Sequence, residues 1–484
     1  MAASVQRYNS LRRNEQVAPG EVEQVRRLTA EGLKALFWEK QMISRRKFIG
    51  NAVSGLATGA AASAFSSTAK SYAQILGAND RLNFAINGLN GRGHAHLASL
   101  AANSSSARVA FICDVDTGIL GKFAAEAQQK LGYAPKTETD FRHVLESKEV
   151  DAITIATPDH WHTPMAVLGL KAGKHVYVEK PSSQNPREGE LLIAAQKKYG
   201  KLVQVGDQQR SSDYTIRMIE KIHGGLIGDA YMAKSWYVNT RGSMGIGKPA
   251  PVPDSLDWNL WQGPAPRSEY KDNIHPYNWH WLRRYGTGET LNNGTHEVDI
   301  CRWALQAGFP QAVTASGGRY QFKDDWQFPD TTITNFEYAD KLISWEGRSC
   351  QGLRIYDRDR GSCIMGSKGS VVIDRAGYDV FDWKGKQTDS YRTGHDTSTG
   401  DLLSADSMTD AHFANFIAAI RGEQQLNSPV AVANVTVTML LLSNIAWFVD
   451  RLLRIDSETA HVLDDPEAMK YWARTYEPGW EVTV

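Results

Sequence analysis

The hydrophobic pattern changes character midway along the chain. From residue 81, short apolar runs alternate with segments of helical period: Arg81–Asn87 predicts a strand, His94–Ala102 a helix and Arg108–Cys113 a second strand. Val150–Pro158 and Lys174–Pro181 are two further apolar runs, separated by a helical segment over Thr163–Ala172. Strands alternating with helices predict right-handed βαβ crossovers and a doubly wound parallel sheet, since parallel neighbours need a long crossover and strand twist fixes its hand. Ligands of such sheets sit beyond the carboxyl ends of the strands. Thr157–His162 and Glu179–Pro181 therefore belong on the ligand edge.

After Gly206 the pattern becomes β-rich. Ala230–Thr240, Ala312–Phe322, Thr331–Tyr338, Leu342–Trp345 and Ser370–Ile373 predict an antiparallel sheet. An insertion carrying Trp258, Trp261, Tyr277, Trp279, Trp281 and Tyr285 separates the first two of these strands. Such aromatics either stack on sugar rings beside a polar site or anchor a long connection by packing under it. His412–Ile420 and Val432–Leu453 have helical period and an apolar face, which predicts that they pack back on the core; Thr436–Val449 is apolar enough for a buried helix.

Composition narrows the class. With 484 residues, 42% hydrophobic and 22% charged, the chain is globular, with length for about three domain-sized units. Lys+Arg 54 balance Asp+Glu 54, so no net field draws it to nucleic acid or an anionic membrane. Its four cysteines contain no C-x-x-C, which leaves neither a disulfide scaffold nor a zinc module, only a Cys350–Cys363 bridge as an option.

Gly88-Leu89-Asn90-Gly91-Arg92-Gly93 ends the first strand and opens the first helix. A dinucleotide needs a tight turn at Gly88, close backbone approach at Asn90 and Gly91, and free amides at the helix start, Arg92 and Gly93, for its pyrophosphate. Asn90 stands where the G-x-G-x-x-G pattern has its second glycine. The second strand ends at Asp114, 26 residues beyond Gly88, where a carboxylate accepts from the adenosine ribose and repels a 2′-phosphate. Asp116 adds a negative charge and no Arg or Lys follows before Lys122, so NAD is favoured over NADP.

On Ala156-Thr157-Pro158-Asp159-His160-Trp161-His162, Glu179-Lys180-Pro181 and Asn292–Asp299 the chain resembles the Gfo/Idh/MocA family, from about Asn79 to Val484. The resemblance implies an N-terminal Rossmann domain followed by an α/β domain with an open, mainly antiparallel sheet, which often forms the interface of a homodimer or tetramer. It implies that Thr157, Pro158, His160, His162 and Glu179 help hold the cofactor. Lys180 is similar to the family's lysine beside the nicotinamide and the reacting hydroxyl, where a cation stabilises an alkoxide. His296 is similar to its general acid/base. Many members carry aspartate four residues before this histidine; here the residue is Asn292, an amide suited to a sugar hydroxyl. Asp299, at i+3 from His296, is placed to orient it. Arg210, in Gln208-Gln209-Arg210, matches a segment bordering the substrate pocket and fits either a carboxylate or an interdomain salt bridge. No metal is expected: His-x-His on a loop, here His160 and His162, is weak evidence for one, and the family needs none.

Ser44-Arg45-Arg46-Lys47-Phe48-Ile49-Gly50, followed by the uncharged stretch Phe48–Ala69, resembles a twin-arginine (Tat) export signal. Its large apolar residues are too few for a permanent span, which wants roughly 20 apolar residues. Ala62-Ser63-Ala64 and Ser71-Tyr72-Ala73 are cleavage candidates, with an uncleaved anchor as the alternative. The expected division is residues 1–41 as an extension, with Met42 offering a second start; 42–75 as the signal; 76–205 as the NAD-binding domain; and 206–484 as the substrate and oligomerisation domain. The Tat machinery moves folded proteins, so a tightly held cofactor and a periplasmic location are expected. The resulting expectation is an exported NAD-dependent oxidoreductase acting on a sugar, cyclitol or glycoside hydroxyl. The alternatives are a glycosidase or epimerase working by transient oxidation, and a catalytically silent carbohydrate- or nucleotide-binding protein.

Overall fold

Strand β1 (Leu82–Asn87), almost wholly buried, sits in the middle of a six-stranded parallel sheet. The computed structural model describes residues 81–394 and 406–484; the Tat-like segment and the extension before it lie outside the described residues. After β1 come α1 (Arg92–Ala102), β2 (Ala107–Cys113), α2 (Thr117–Leu131), β3 (Lys136–Glu138), α3 (Phe141–Glu146), β4 (Ala152–Ile155), α4 (Asp159–Lys171), β5 (His175–Val178), α5 (Pro186–Tyr199) and β6 (Val203–Val205). The strand order is β3-β2-β1-β4-β5-β6. Its order reverses between β1 and β4, the crevice where doubly wound sheets bind ligands. The apolar runs read from sequence are thus the four central strands, buried on both faces as a parallel sheet requires.

A short helix α6 (Asp213–His223) leads into the second sheet. This contains β7 (Ala230–Val238) and, after helices α7 (Trp258–Gln262), α8 (Gly288–Asn292) and α9 (Gly294–Leu305), strands β8 (Ala312–Gly318), β9 (Thr331–Glu337), β10 (Leu342–Arg348), β11 (Arg360–Gly366), β12 (Gly369–Asp374), β13 (Gly377–Asp382) and β14 (Gln387–Arg392). Helices α10 (Ser407–Ile420) and α11 (Val430–Val449) follow, then β15 (Leu453–Arg454). The order is β14-β13-β12-β11-β7-β10-β9-β8-β15, antiparallel throughout except for the parallel pair β7 and β10. The last helix stops earlier than its apolar pattern: Asp450 takes a left-handed conformation and ends α11, and Leu453 turns into the sheet edge against Val313.

Helices α9 and α11 cover one face of this sheet, burying Val298, Leu305, Val437 and Leu440 against Phe336, Ile343 and Trp345. Among the described residues α11 is the one helix long and apolar enough to cross a membrane, and most of it is buried in this core. Helix α10 returns to the first sheet, where Phe413 stacks on Tyr177 with ring centroids 4.3 Å apart and Phe416 joins Phe84. A buried phenyl of this kind contributes about 2–3 kcal/mol, enough to tie the late helix to the early sheet.

All four cysteines are free thiols. The Cys350–Cys363 bridge left open by the spacing is not formed, because β7 lies between the strands that carry or border them: Cys363 pairs with Lys234 of β7, and Cys350 follows β10 on the other side.

Candidate functional site

The loops after β1, β4 and β5 open into a cavity of about 270 Å³. Gly88 has φ +85°, and a Cβ there would stand 2.6 Å from the carbonyl carbon and oxygen of Ala156, so glycine alone lets the first loop touch the fourth strand's exit. A Cβ on Gly93 would lie 2.4 Å from the Gly88 carbonyl oxygen. Gly93 does not line the cavity; it closes α1 onto the turn, whereas Asn90, Gly91 and Arg92 face the cavity directly. At the end of β2, Asp114 accepts from the Leu89 amide at 2.8 Å and the Asp116 amide at 3.0 Å. Burial raises its carboxyl to about 6, with those amides offsetting part of the effect. Asp116 instead caps α2, accepting from the amides of Gly118 and Ile119. The hydroxyl of Thr157 is buried without a partner among the described residues, and Thr157 and Pro158 line the cavity. A glycine cradle that any Cβ would fill, Asp114 at the next strand end and an unmatched hydroxyl fit a dinucleotide.

Glu179 is the hub between this end and the next. Its Oε1 accepts from Arg92 Nε at 2.9 Å, Gln208 Nε2 at 3.0 Å and His96 Nε2, also at 3.0 Å. Burial would raise its pKa, but Arg92, His96 and Lys180 outweigh that and hold it well below the usual carboxylate range. Lys180 reaches Asn292 on α8, donating to its carbonyl oxygen at 2.7 Å and its Oδ1 at 3.2 Å. Burial lowers the Lys180 pKa, Arg92 and Arg375 add to this, and Glu179 and Asp159 oppose it. His296, 4% exposed at the start of α9, lines the same cavity, and its Nδ1 has no partner among the described residues. Burial, then the charges of Arg375 and Lys180, push its imidazolium well below the ordinary histidine value. Its resting form is a neutral base. Lys180 and His296 are thereby brought to one cavity with the glycine turn.

The aromatic insertion closes the far wall. Trp261, Tyr277 and Trp279 line the cavity, while Trp258 stacks behind Trp261 at 4.7 Å and Trp281 stacks on Trp326 at 3.9 Å. Three of these aromatics thus face the cavity, while Trp258 and Trp281 anchor the connection by packing on other rings. The insertion is stitched to the first sheet's edge by the Thr117 amide to Ser255 at 2.8 Å and the Asp257 amide to Val115 at 3.1 Å.

Residues 82–207 match the model of the Gfo/Idh/MocA family, described as an oxidoreductase family with an NAD-binding Rossmann fold. Inositol 2-dehydrogenase 2 of Saccharopolyspora erythraea is 31% identical over 225 residues, 46% of this chain and 54% of its own. A glycosyl hydrolase family 109 protein of the same organism is 30% identical over 199 residues, 39% of this chain and 43% of its own. The chain spans about half the length of the curated relatives it matches. The fold is also that of a levoglucosan dehydrogenase solved with NADH and levoglucosan, at TM-score 0.60 and 18% identity, covering 78% of this chain and 100% of that one.

Not every residue drawn from the Gfo/Idh/MocA resemblance faces the cavity. His160 turns away: its Nε2 bonds the Trp261 carbonyl oxygen at 3.0 Å, its ring packs on Tyr285, and burial lowers it to about 3. It anchors the insertion and does not reach the cofactor end. His162 does line the cavity, but both ring nitrogens lie against carbonyl oxygens, of Pro181 at 2.6 Å and Thr157 at 2.8 Å, so it braces two ligand-edge loops. Arg210 and Asp299 face each other: Nε meets Oδ2 at 2.6 Å and Nη2 meets Oδ1 at 2.9 Å. Neither lines the cavity, and Asp299, held further by Thr436 at 2.9 Å, does not orient His296. Of the two expectations for Arg210, the salt bridge is the one formed. Asn292 serves Lys180 as acceptor. Among the described residues no group of three His, Cys, Asp or Glu side chains could hold a metal. Arg241, His280 and Arg375 line the cavity without having been singled out from sequence. No motif surrounds them; Arg375 lies on the two-residue turn between β12 and β13, which only the folded sheet brings to the site.

Proposed function

We propose that the protein is an NAD-dependent oxidoreductase that oxidises a CH–OH group of a sugar or cyclitol, retains its cofactor tightly and works outside the cytoplasm after Tat export. The observation that carries the chemistry is the meeting of Lys180 and His296 in the cavity bounded by Gly88, Asn90–Arg92 and Asp114. NAD, when bound, supplies the hydride acceptor. Asp114 would take the adenosine ribose, and the amides at the start of α1 the pyrophosphate. Lys180, steered by Asn292, holds a positive charge where the substrate oxygen becomes an alkoxide. His296, neutral at rest, takes the hydroxyl proton. The Glu179 hub keeps Arg92 and Lys180 in register with each other.

Retention of the cofactor is supported by the insertion, which places Trp261 and Trp279 across the cavity and is bonded to the loop after β2. Export is supported by the Ser44–Gly50 motif alone. The test is to purify the protein, denature it and identify the released nucleotide by mass spectrometry, then follow nicotinamide absorbance with sugars and inositols. Near-stoichiometric NAD or NADH, with absorbance changes on adding a polyol, is expected. Protein that is empty and binds neither NAD nor NADP defeats the proposal. Cell fractionation, with Arg45→Lys/Arg46→Lys as the control, tests export.

A second reading, cleavage of a glycoside by transient oxidation on retained NAD, is favoured by the similarity to the family 109 glycosyl hydrolase. Aryl glycosides releasing phenol without net nicotinamide reduction would select it.

A further inference from the structure

Arg375 is 8% exposed and lines the cavity, yet its Nε and Nη2 are buried with no acceptor among the described residues. A buried guanidinium is ordinarily matched by a carboxylate or by carbonyl oxygens. The other two cavity arginines obey that rule: Arg92 bonds Glu179 and Arg241 bonds Glu289 at 2.7 Å. The carboxylates closest in charge to Arg375 are engaged elsewhere. Glu297 spends its Oε1 on Arg360 at 2.7 Å and its Oε2 bonds nothing among the described residues, Arg375 included, while Asp406 caps α10 through the Thr409 amide. The backbone beneath Arg375 is fixed, its carbonyl accepting from the Tyr214 hydroxyl and that of Asp374 from Gln209 Nε2 at 3.2 Å. The side chain is therefore held at the cavity wall with no acceptor for Nε and Nη2 among the described residues.

We propose that Arg375 receives the carboxylate of the substrate, so that the sugar oxidised at Lys180 and His296 is an acid of the uronate type. This rests on the oxidoreductase reading above for the reaction, but not for the binding site. Nε and Nη2 form the edge of the guanidinium that matches two carboxylate oxygens side by side, a fit that a neutral hydroxyl cannot make and that lysine cannot copy. Burial and Arg360 bring Arg375 down only to about 10, so it stays charged at neutral pH. After burial, Arg375 is also the largest charge depressing His296, ahead of Lys180, Arg360 and Arg92. A carboxylate on Arg375 would offset that charge and return basicity to His296 when an acidic substrate is seated.

The test is calorimetric titration of the purified protein with D-glucuronate and D-glucose, D-galacturonate and D-galactose, and D-glucose 6-phosphate, repeated on Arg375→Gln and Arg375→Lys. A uronate is expected to bind at least tenfold tighter than its neutral partner in the parent protein. That preference should vanish in Arg375→Gln and return only in part in Arg375→Lys, with NAD affinity unchanged in both. Equal binding of uronate and neutral sugar, or stronger binding of the phosphate than of either uronate, overturns the proposal. So does a tenfold loss of NAD affinity in Arg375→Gln, which would assign the residue to the cofactor. Arg375-dependent uronate binding without nicotinamide reduction would defeat the dehydrogenase and leave this site standing; oxidation of neutral sugars indifferent to Arg375→Gln would do the reverse.

Discussion

Lys180 gives its ammonium to both oxygens of Asn292, the main-chain carbonyl at 2.7 Å and Oδ1 at 3.2 Å. The amide orients the cation without neutralising it, and Glu289 holds the amide from behind, accepting from its Nδ2 at 3.3 Å while bonded to Arg241. Where many members of the resembled family carry aspartate this chain has Asn292, and burial lowers the pKa of the lysine that the amide holds. Asn292→Asp should place a carboxylate on the ammonium and raise the Lys180 pKa by about 1–3 pH units, the range for an opposite charge at this distance. The basic limb of kcat/KM against pH should move upward accordingly, while NAD affinity stays within a factor of about two. A pH profile identical to that of the parent would show that Asn292 does not set the lysine's charge.

Arg210 and Asp299 are a buried pair that joins the turn after β6 to α9. Removing one member of such a pair strands the other's charge, at a cost of about 3–5 kcal/mol. Arg210→Ala should lower the thermal midpoint sharply. Arg210→Met/Asp299→Leu should recover part of the loss, because neither of these charges then remains and Arg302, which loses Asp299 at 3.5 Å, keeps Thr436 and the carbonyls of Ala307 and Val432. Substrate KM should be unchanged in the double variant, since neither residue lines the cavity. A KM rise without loss of stability would return Arg210 to the substrate site.

Gly93 and Gly88 answer to different neighbours and so predict different defects. Gly93→Ala pushes a methyl into the Gly88 carbonyl oxygen, and the contact is backbone on backbone. Helix α1 must move off the turn, so NAD binding should be lost while the fold persists with a reduced thermal midpoint. Gly88→Ala meets the Ala156 carbonyl and also carries an unfavourable φ, costing roughly 1–3 kcal/mol for the conformation alone. It should be the less stable of the two, measurable by thermal unfolding beside nucleotide content.

The first sheet was legible because a parallel sheet is buried on both faces and writes its strands as continuous apolar runs. β1, β2, β4 and β5 were each found within two or three residues. The second sheet was read in part. β9 and β10 alternate and announce themselves, but β11 begins Arg-Gly-Ser, and β14, Gln-Thr-Asp-Ser-Tyr-Arg, is exposed along its whole length and carries no pattern to read. The same logic divides the site. Residues in contiguous motifs, Gly88 to Arg92 or Glu179-Lys180, were visible. Arg375 was not, since its meaning comes from the β12–β13 turn reaching the carboxyl edge of another sheet. Asp299 was misjudged because helical spacing placed it beside His296, and Arg210, 89 positions earlier, drew its carboxylate away.

Asp114 links cofactor binding to pH. Burial raises its carboxyl from an ordinary 3.8 to about 6, with the Asp116 and Leu89 amides opposing that rise and the Asp116 charge adding to it. A carboxyl whose folded value lies above its unfolded one favours the folded state through its proton. That contribution is complete below 3.8, and it is lost as pH rises through about 6. The nucleotide asks for the opposite form, since two ribose hydroxyls donate best to a carboxylate. NAD affinity should therefore be level above pH 6 to 7 and fall by up to tenfold per pH unit below it, as each binding event must first remove the proton. Asp114→Asn should bind NAD more weakly at pH 8 and lose the pH dependence, because an amide does not titrate in this range. Fluorescence titration of stripped protein between pH 5 and pH 8 measures both, and a dissociation constant that is flat across that window in the parent would remove Asp114 from the ribose.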